Sequence, residues 1–203
     1  QFDVDIDFAA KKLNLFSQDH CAGKVVYWAA DAVTVVPMHV VNSGHIMVPV
    51  TLDGHGFDAM LDTGSSHTHL SQESARNIFG LAPDSAGMAK VGDFGPGGKT
   101  AVYRHSFGAL ALQGITIGNP GVYIFEDLLR TGMAQTPHLG SRLTDVDVSD
   151  GVTDMILGMS ELQNLHVYIA YKEQKLYISS ASSPSIAAGG GSPAAPATTA
   201  AAH

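Results

Sequence analysis

The sequence predicts an all-β lobe with short helices, and three observations predict it. Val, Ile and Thr are plentiful and 22 glycines punctuate the chain, a composition suited to short strands joined by turns. Apolar and polar residues alternate over several stretches, the period-two pattern of a strand with one buried face. Asp53-Gly54 sits between two such runs, His45 to Leu52 and Phe57 to Leu61. An Asp-Gly step in that setting signals a tight hairpin.

Length and charge narrow the class further. A chain of 203 residues with 45% hydrophobic content can bury one core and carry appendages. Its net charge of -8 argues against a nucleic-acid partner, because phosphate contacts need clustered Lys and Arg. No apolar run approaches the roughly 18 residues of a membrane span, so none is expected.

Taken in order, residues 1–17 read as a hairpin, Phe2 to Phe8 and then Lys12 to Ser17. Asp3, Asp5 and Asp7 have the alternate spacing of a calcium loop, yet apolar residues separate them and no glycine follows at the sixth place. The pattern predicts a strand with a solvated acidic face. Residues 18–31 form a connector holding Cys21, the single cysteine, for which no disulfide within the chain is possible. A free buried thiol is expected there, the alternative being a bond to another lobe or copy. Val33 to Val41 reads as a strand, with Pro37 marking an edge or bulge. The Asp53-Gly54 hairpin then delivers Asp62 from its second strand.

Ser71 is placed to cap a short helix, Glu73 suits its positive N-terminus, and Gly80 can close its end. Strands are expected at Thr100 to His105, Ala109 to Gln113, Ile115 to Ile117 and Gly121 to Phe125. A long polar loop over 131–153 holds Asp145, Asp147 and Asp150-Gly151, which miss the calcium-loop register by one. Met155-Ile156-Leu157-Gly158, a short helix near Ser160 to Leu165 and a final hairpin complete a lobe over 32–180. Residues 181–203, rich in Gly, Pro, Ala, Ser and Thr, cannot build a core and read as a disordered tail.

An internal repeat joins the two ends of this order. Val4, Ile6, Lys12, Leu13 and Ser17 recur as Val167, Ile169, Lys175, Leu176 and Ser180. The offset from Phe2 to Leu165 is 163 residues (165 - 2). On that offset the counterpart of Asp62 falls before position 1, and the expectation is that residues 1–17 are the trailing hairpin of a preceding repeat lobe.

The chemistry-bearing motif is Asp62-Thr63-Gly64-Ser65-Ser66, set directly after an apolar strand. Asp-Thr-Gly alone can be a turn closed by an Asx hydrogen bond. Together with the Asp-Gly hairpin before it, a glycine-rich hairpin after it and Ile156-Leu157-Gly158 before the closing strands, it resembles the retroviral-type (retropepsin-like) aspartic protease family, in its bacterial single-domain and tandem-lobe versions. The resemblance runs from about Val40 to Ser180. It implies a closed, barrel-like sheet with short helices, paired with a second lobe. It also implies a peptidase in which two carboxylates share one proton and activate a water.

On that resemblance Asp62 is half of the dyad, and Gly64 lets the chain turn with its N–H near a carboxylate oxygen. Thr63 points its hydroxyl across the lobe interface, Ser65 bonds the outer oxygen of Asp62, and Ile156, Leu157 and Gly158 support the loop from behind. Gly92, Asp93, Phe94 and Gly95 are the candidates for a flap over the peptide, the alternative being a glycine-rich surface loop. His67-x-His69 lacks a Cys or carboxylate at ligand spacing, so no metal is expected, and no cofactor.

The expected partners are a peptide or protein substrate and either a second copy or a second lobe to supply the other Asp. Ser160 stands where relatives often carry Asp. The rival reading is a noncatalytic module that keeps the fold and binds a peptide or protein. The resemblance implies a periplasmic or envelope location.

Overall fold

The computed structural model describes residues 2–28, 33–94, 100–125 and 153–181. Gly95, most of the polar loop with Asp145, Asp147 and Asp150, and the tail from 182 lie outside the described residues. In chain order the strands are β1 (Phe2–Asp7), β2 (Lys12–Ser17), β3 (Thr34–Pro37), β4 (His39–Val40), β5 (Ile46–Leu52), β6 (His55–Leu61) and β7 (His69–Ser71). Helix α1 (Gln72–Phe79) follows, and then β8 (Ala89–Phe94), β9 (Thr100–Ser106), β10 (Ala109–Leu112), β11 (Ile115–Gly118) and β12 (Gly121–Phe125). The chain closes with β13 (Met155–Leu157), α2 (Met159–Leu162), β14 (Leu165–Ala170) and β15 (Lys175–Ser180).

These strands form two sheets. The larger runs β11-β10-β5-β6-β13-β7-β12-β9-β8, with β4 beside β5, and the smaller runs β2-β1-β14-β15-β3. One continuous core joins them, with Val48, Leu52, Ala59, Leu70, Leu110, Leu112, Leu157 and Leu176 wholly buried. Each wholly buried Leu contributes roughly 1.5–3 kcal/mol relative to exposure, so this alternation decides which face of every strand points inward.

Local rules account for the elements that lead to the site. Asp53 and Gly54 both take positive φ, 46° and 82°, as the two-residue turn pairing Leu52 with His55 requires. The Asp53 carboxylate accepts from the amides of Gly108 (3.1 Å) and Ala109 (2.7 Å), tying that turn to β10. Ser71 caps α1 by accepting from Ser74 N at 3.0 Å, and Gly80 ends it in the left-handed region at φ 66°. The strand expected over Val33 to Val41 is divided at Met38: β3 pairs with β15 in the smaller sheet and β4 with β5 in the larger. Pro37 ends β3, which is an edge strand as its missing N–H demands.

The smaller sheet has a symmetric register. β1 pairs antiparallel with β14, and Asp5 lies opposite Tyr168, its counterpart at the 163-residue offset. Within the hairpins, Phe2↔Ser17 matches Leu165↔Ser180 and Asp7↔Lys12 matches Ala170↔Lys175. Even the turns agree, with positive φ at Lys11 (55°) and Gln174 (53°).

The expected solvated acidic face is not observed, because Asp3 and Asp5 are wholly buried. Residues 18–28 cross that face of the sheet and supply donors. Asp3 accepts from Gln18 Nε2 (3.0 Å), His20 Nε2 (2.7 Å) and Tyr171 N (3.0 Å). Asp5 accepts from Asn14 Nδ2 (2.9 Å), Tyr27 OH (2.7 Å) and His166 Nε2 (2.7 Å). Trp28 stacks on His166 at 4.3 Å and donates to Ser179 Oγ at 3.0 Å. Alternation cannot distinguish solvent from a polar strap as the cover for a strand's second face.

Burial, aided by the bond to Asp5, raises the Tyr27 hydroxyl to about 12. Removing the shared acceptor leaves the buried His166 without its partner, while the half-buried Asn14 and the exposed Tyr27 can turn to water, so Asp5→Ala is expected to cost about 1–3 kcal/mol in urea-induced unfolding. The hydrogen bond to Asp3 raises His20 above its ordinary value. A raised histidine stabilises fully below its unfolded value, and that contribution is lost as pH rises through the folded one. Cys21, expected to be buried, is free and exposed.

Candidate active site

The loop carrying Asp62 is shaped by three strands. β13 lies between β6, to which it is parallel, and β7, to which it is antiparallel. Residues 62–68 therefore leave the end of β6 and round the end of β13 to enter β7. Asp62 N donates to Leu157 O at 3.0 Å, fixing the point of departure. The turn then closes on itself: Gly64 N donates to Asp62 Oδ1 at 2.8 Å and Ser65 N to Asp62 O at 3.3 Å. A Cβ on Gly64 would lie 3.1 Å from that same carboxylate oxygen, which explains glycine there without appeal to φ. Asp62 is half-buried and Thr63 exposed.

Ser65 does not make the bond to Asp62 that was expected of it. Its hydroxyl donates to His67 O at 2.8 Å, and its oxygen faces His69 Nε2 at 2.9 Å. With the hydroxyl proton already engaged, His69 donates from Nε2, which assigns its neutral tautomer. The His67 ring itself stacks on Tyr123, with centroids 4.1 Å apart.

Beneath the loop a polar cluster links it to α2. Thr68 N donates to Ser160 Oγ at 3.0 Å and Gly158 N donates to Thr68 Oγ1 at 3.1 Å. The hydroxyls of Thr68 and Ser160 both donate to the Glu161 carboxylate, and Thr68 and Glu161 are buried. Met159 N donates to Ser65 O at 2.8 Å. Gly158 is packed so closely that an added Cβ would sit 2.1 Å from His67 O. Leu157 is wholly buried and Ile156 partly so, their backbone pairing with Leu61 and Met60.

Burial, reinforced by the nearby His67 and opposed by Asp62, lowers His69 to about 4. Because the folded value lies below the ordinary 6.5, the unfolded chain binds the extra proton first on acidification. The contribution is thus complete above about pH 6.5 and is lost as pH falls toward 4. It is on the order of 3 kcal/mol. His69→Gln is expected to flatten that limb of a stability-against-pH curve measured by urea unfolding.

β8 and β9 pair antiparallel, with Phe94 opposite Thr100 and a register shift between Lys90 and Gly92. Gly92 and Asp93 are exposed on β8, the edge strand of the larger sheet, and Lys90 pairs with Asp93 at 2.7 Å. Among the described residues no three His, Cys, Asp or Glu side chains are placed to hold a metal ion. No described helix is long and apolar enough to cross a membrane.

A family model described as aspartyl protease matches residues 48–161, from the hairpin through Asp62 to Glu161 and more than half of the chain. The chain belongs to the aspartyl protease family. Among solved structures, this aspartyl protease chain is similar to a retropepsin-like aspartic protease from Rickettsia conorii, at 17% identity and a TM-score of 0.49, over 75% of this chain and 96% of that one. It is also similar to the retroviral protease-like domain of Ddi1 from Leishmania major, at 17% identity and a TM-score of 0.35, over 58% of this chain and 74% of that one. Basic 7S globulin from soybean matches at 14% identity and a TM-score of 0.48, over 91% of this chain and 52% of that one. No curated protein sequence matches the chain.

Thr68 and Glu161, on which the aspartyl protease loop rests, were not singled out by the sequence. They lie 93 positions apart and meet only because β13 inserts between β6 and β7. The available signal was the polar pair Ser160-Glu161 inside the apolar run from Met155 to Leu162.

Proposed function

We propose that the protein is an aspartic endopeptidase, in which Asp62 and a second Asp from a partner lobe or subunit activate a water against a peptide bond. The observation that carries this reading is the half-buried Asp62 carboxylate, pinned by Gly64 N at 2.8 Å at the end of a strand whose own backbone is anchored to Leu157. One carboxylate takes a proton from the water, and the water oxygen attacks the scissile carbonyl carbon. The other Asp, carrying the shared proton as a carboxylic acid, gives it to the carbonyl oxygen. The tetrahedral diol then collapses: the C–N bond breaks, the amine nitrogen takes the proton held by the first Asp, and the second regains a proton from a diol hydroxyl. No covalent adduct forms on the protein.

Thr63, exposed beside Asp62, reaches toward the opposite loop, and Gly64 and Ser65 keep the turn tight. Gly92, Asp93, Phe94 and Gly95 belong to the flap that closes over the bound peptide and excludes water. The substrate is a peptide or protein.

The test is hydrolysis of a peptide library at mildly acid pH, with Asp62→Asn beside the wild type across a protein dilution series. Cleavage lost in Asp62→Asn is the expected result. A rate falling faster than linearly on dilution would place the second carboxylate on another molecule. A peptide bound equally by both proteins and cut by neither would instead identify a noncatalytic binding module.

A further inference from the structure

The two hairpins of the smaller sheet share register and turn conformation, but they do not share an environment. Phe2, Leu13 and Leu15 lie on one face of β1 and β2 and are 57%, 62% and 58% exposed. Their counterparts at the 163-residue offset, Leu165, Leu176 and Ile178, are 2%, 0% and 1% exposed, covered by the core of the larger sheet. The edges differ in the same sense. The outer edge of β15 is taken by β3, whereas no described strand pairs with the outer edge of β2. An apolar face and an open edge on one strand are what soluble proteins generally cover.

Symmetry states what fits there. A two-fold axis between Asp5 and Tyr168 carries β14 and β15 onto β1 and β2. The same rotation carries the body of the lobe, residues 33–164, onto the bare face, with its β3 on the free edge of β2. We propose that this face is the seat of a second lobe of the same fold, and that residues 2–17 are that lobe's closing hairpin. The occupant is not a second copy of this chain. Rotating a whole copy about this axis would put its β14 and β15 into the space that β1 and β2 already fill. That the seated lobe carries the second carboxylate, opposite Asp62, rests on the peptidase reading above.

The offset dictates the test. A copy of residues 33–164 fused directly ahead of Phe2 uses β1 and β2 as its closing strands, because Phe2 stands where Leu165 would follow. Amide hydrogen exchange at Leu13, Leu15 and Ser17 is compared in the full chain and in this two-lobe fusion, and peptide hydrolysis is measured separately. The proposal expects exchange on β2 to slow at least tenfold in the fusion, and Leu13→Asp with Leu15→Asp to reverse that.

Unchanged exchange would overturn the proposal, even if peptides are cut. Slowed exchange without hydrolysis would keep the seat and overturn the peptidase reading. Protection of β2 already present in the unfused chain would mean that a segment of its own, such as residues 182–203, covers the face, and would also overturn the proposal. A dimer of the unfused chain, seen by sedimentation and broken by the same two substitutions, would make a second copy the occupant and do the same.

Discussion

Asp62→Asn is expected to lower peptide hydrolysis by roughly 10²- to 10⁴-fold, the range for loss of a positioned acid or base, while leaving the melting temperature nearly unchanged. The amide keeps the shape of the side chain and an acceptor for Gly64 N, which now bonds Asp62 Oδ1 at 2.8 Å. What it cannot do is take a proton from water. Asp62 lies in a loop and is half-buried rather than at the centre of the core, so the substitution removes chemistry and little packing. A variant that unfolds together with its loss of rate would place Asp62 among the structural residues, so rate and melting temperature are measured on the same samples.

The second large effect is expected at Gly158→Ala. A Cβ there would stand 2.1 Å from His67 O, 2.5 Å from its carbonyl carbon and 3.0 Å from Ser65 O. All three are backbone atoms of the loop that carries Asp62, so no rotamer change relieves the contact. The loop must move off β13, breaking the bonds from Gly158 N to Thr68 Oγ1 and from Met159 N to Ser65 O. A loss above about 4 kcal/mol in denaturant unfolding is expected, with hydrolysis falling in parallel. Gly56→Ala is the control. Nothing lies within 4 Å of its Cβ position and its φ is outside the left-handed region, so a change within about 0.5 kcal/mol is expected.

The elements nearest Asp62 were the most legible in the sequence, because each is fixed by local chemistry. Asp53-Gly54 specifies its turn, Ser71 and Gly80 bound α1, and alternation marks β5 and β6. Elements defined by distant partners were not legible. β7 has only three residues, and its place follows from β13 and β12 on either side. The burial of Asp3 and Asp5 depends on a strap that reads as a polar connector. Ser65 donates to His67 O rather than to Asp62, a choice that no residue type announces. The Glu161 carboxylate, supporting the loop from 93 positions away, became visible only once the strands were in place.

On the peptidase reading proposed above, the central chemistry is one carboxylate per lobe acting on one water. The most direct measurement is the rate of peptide hydrolysis at mildly acid pH by the two-lobe fusion, with Asp62→Asn introduced in either lobe alone. A loss of roughly 10²-fold or more from each single substitution, with no further loss when both are made, is the predicted result. A rate that survives either substitution would contradict it.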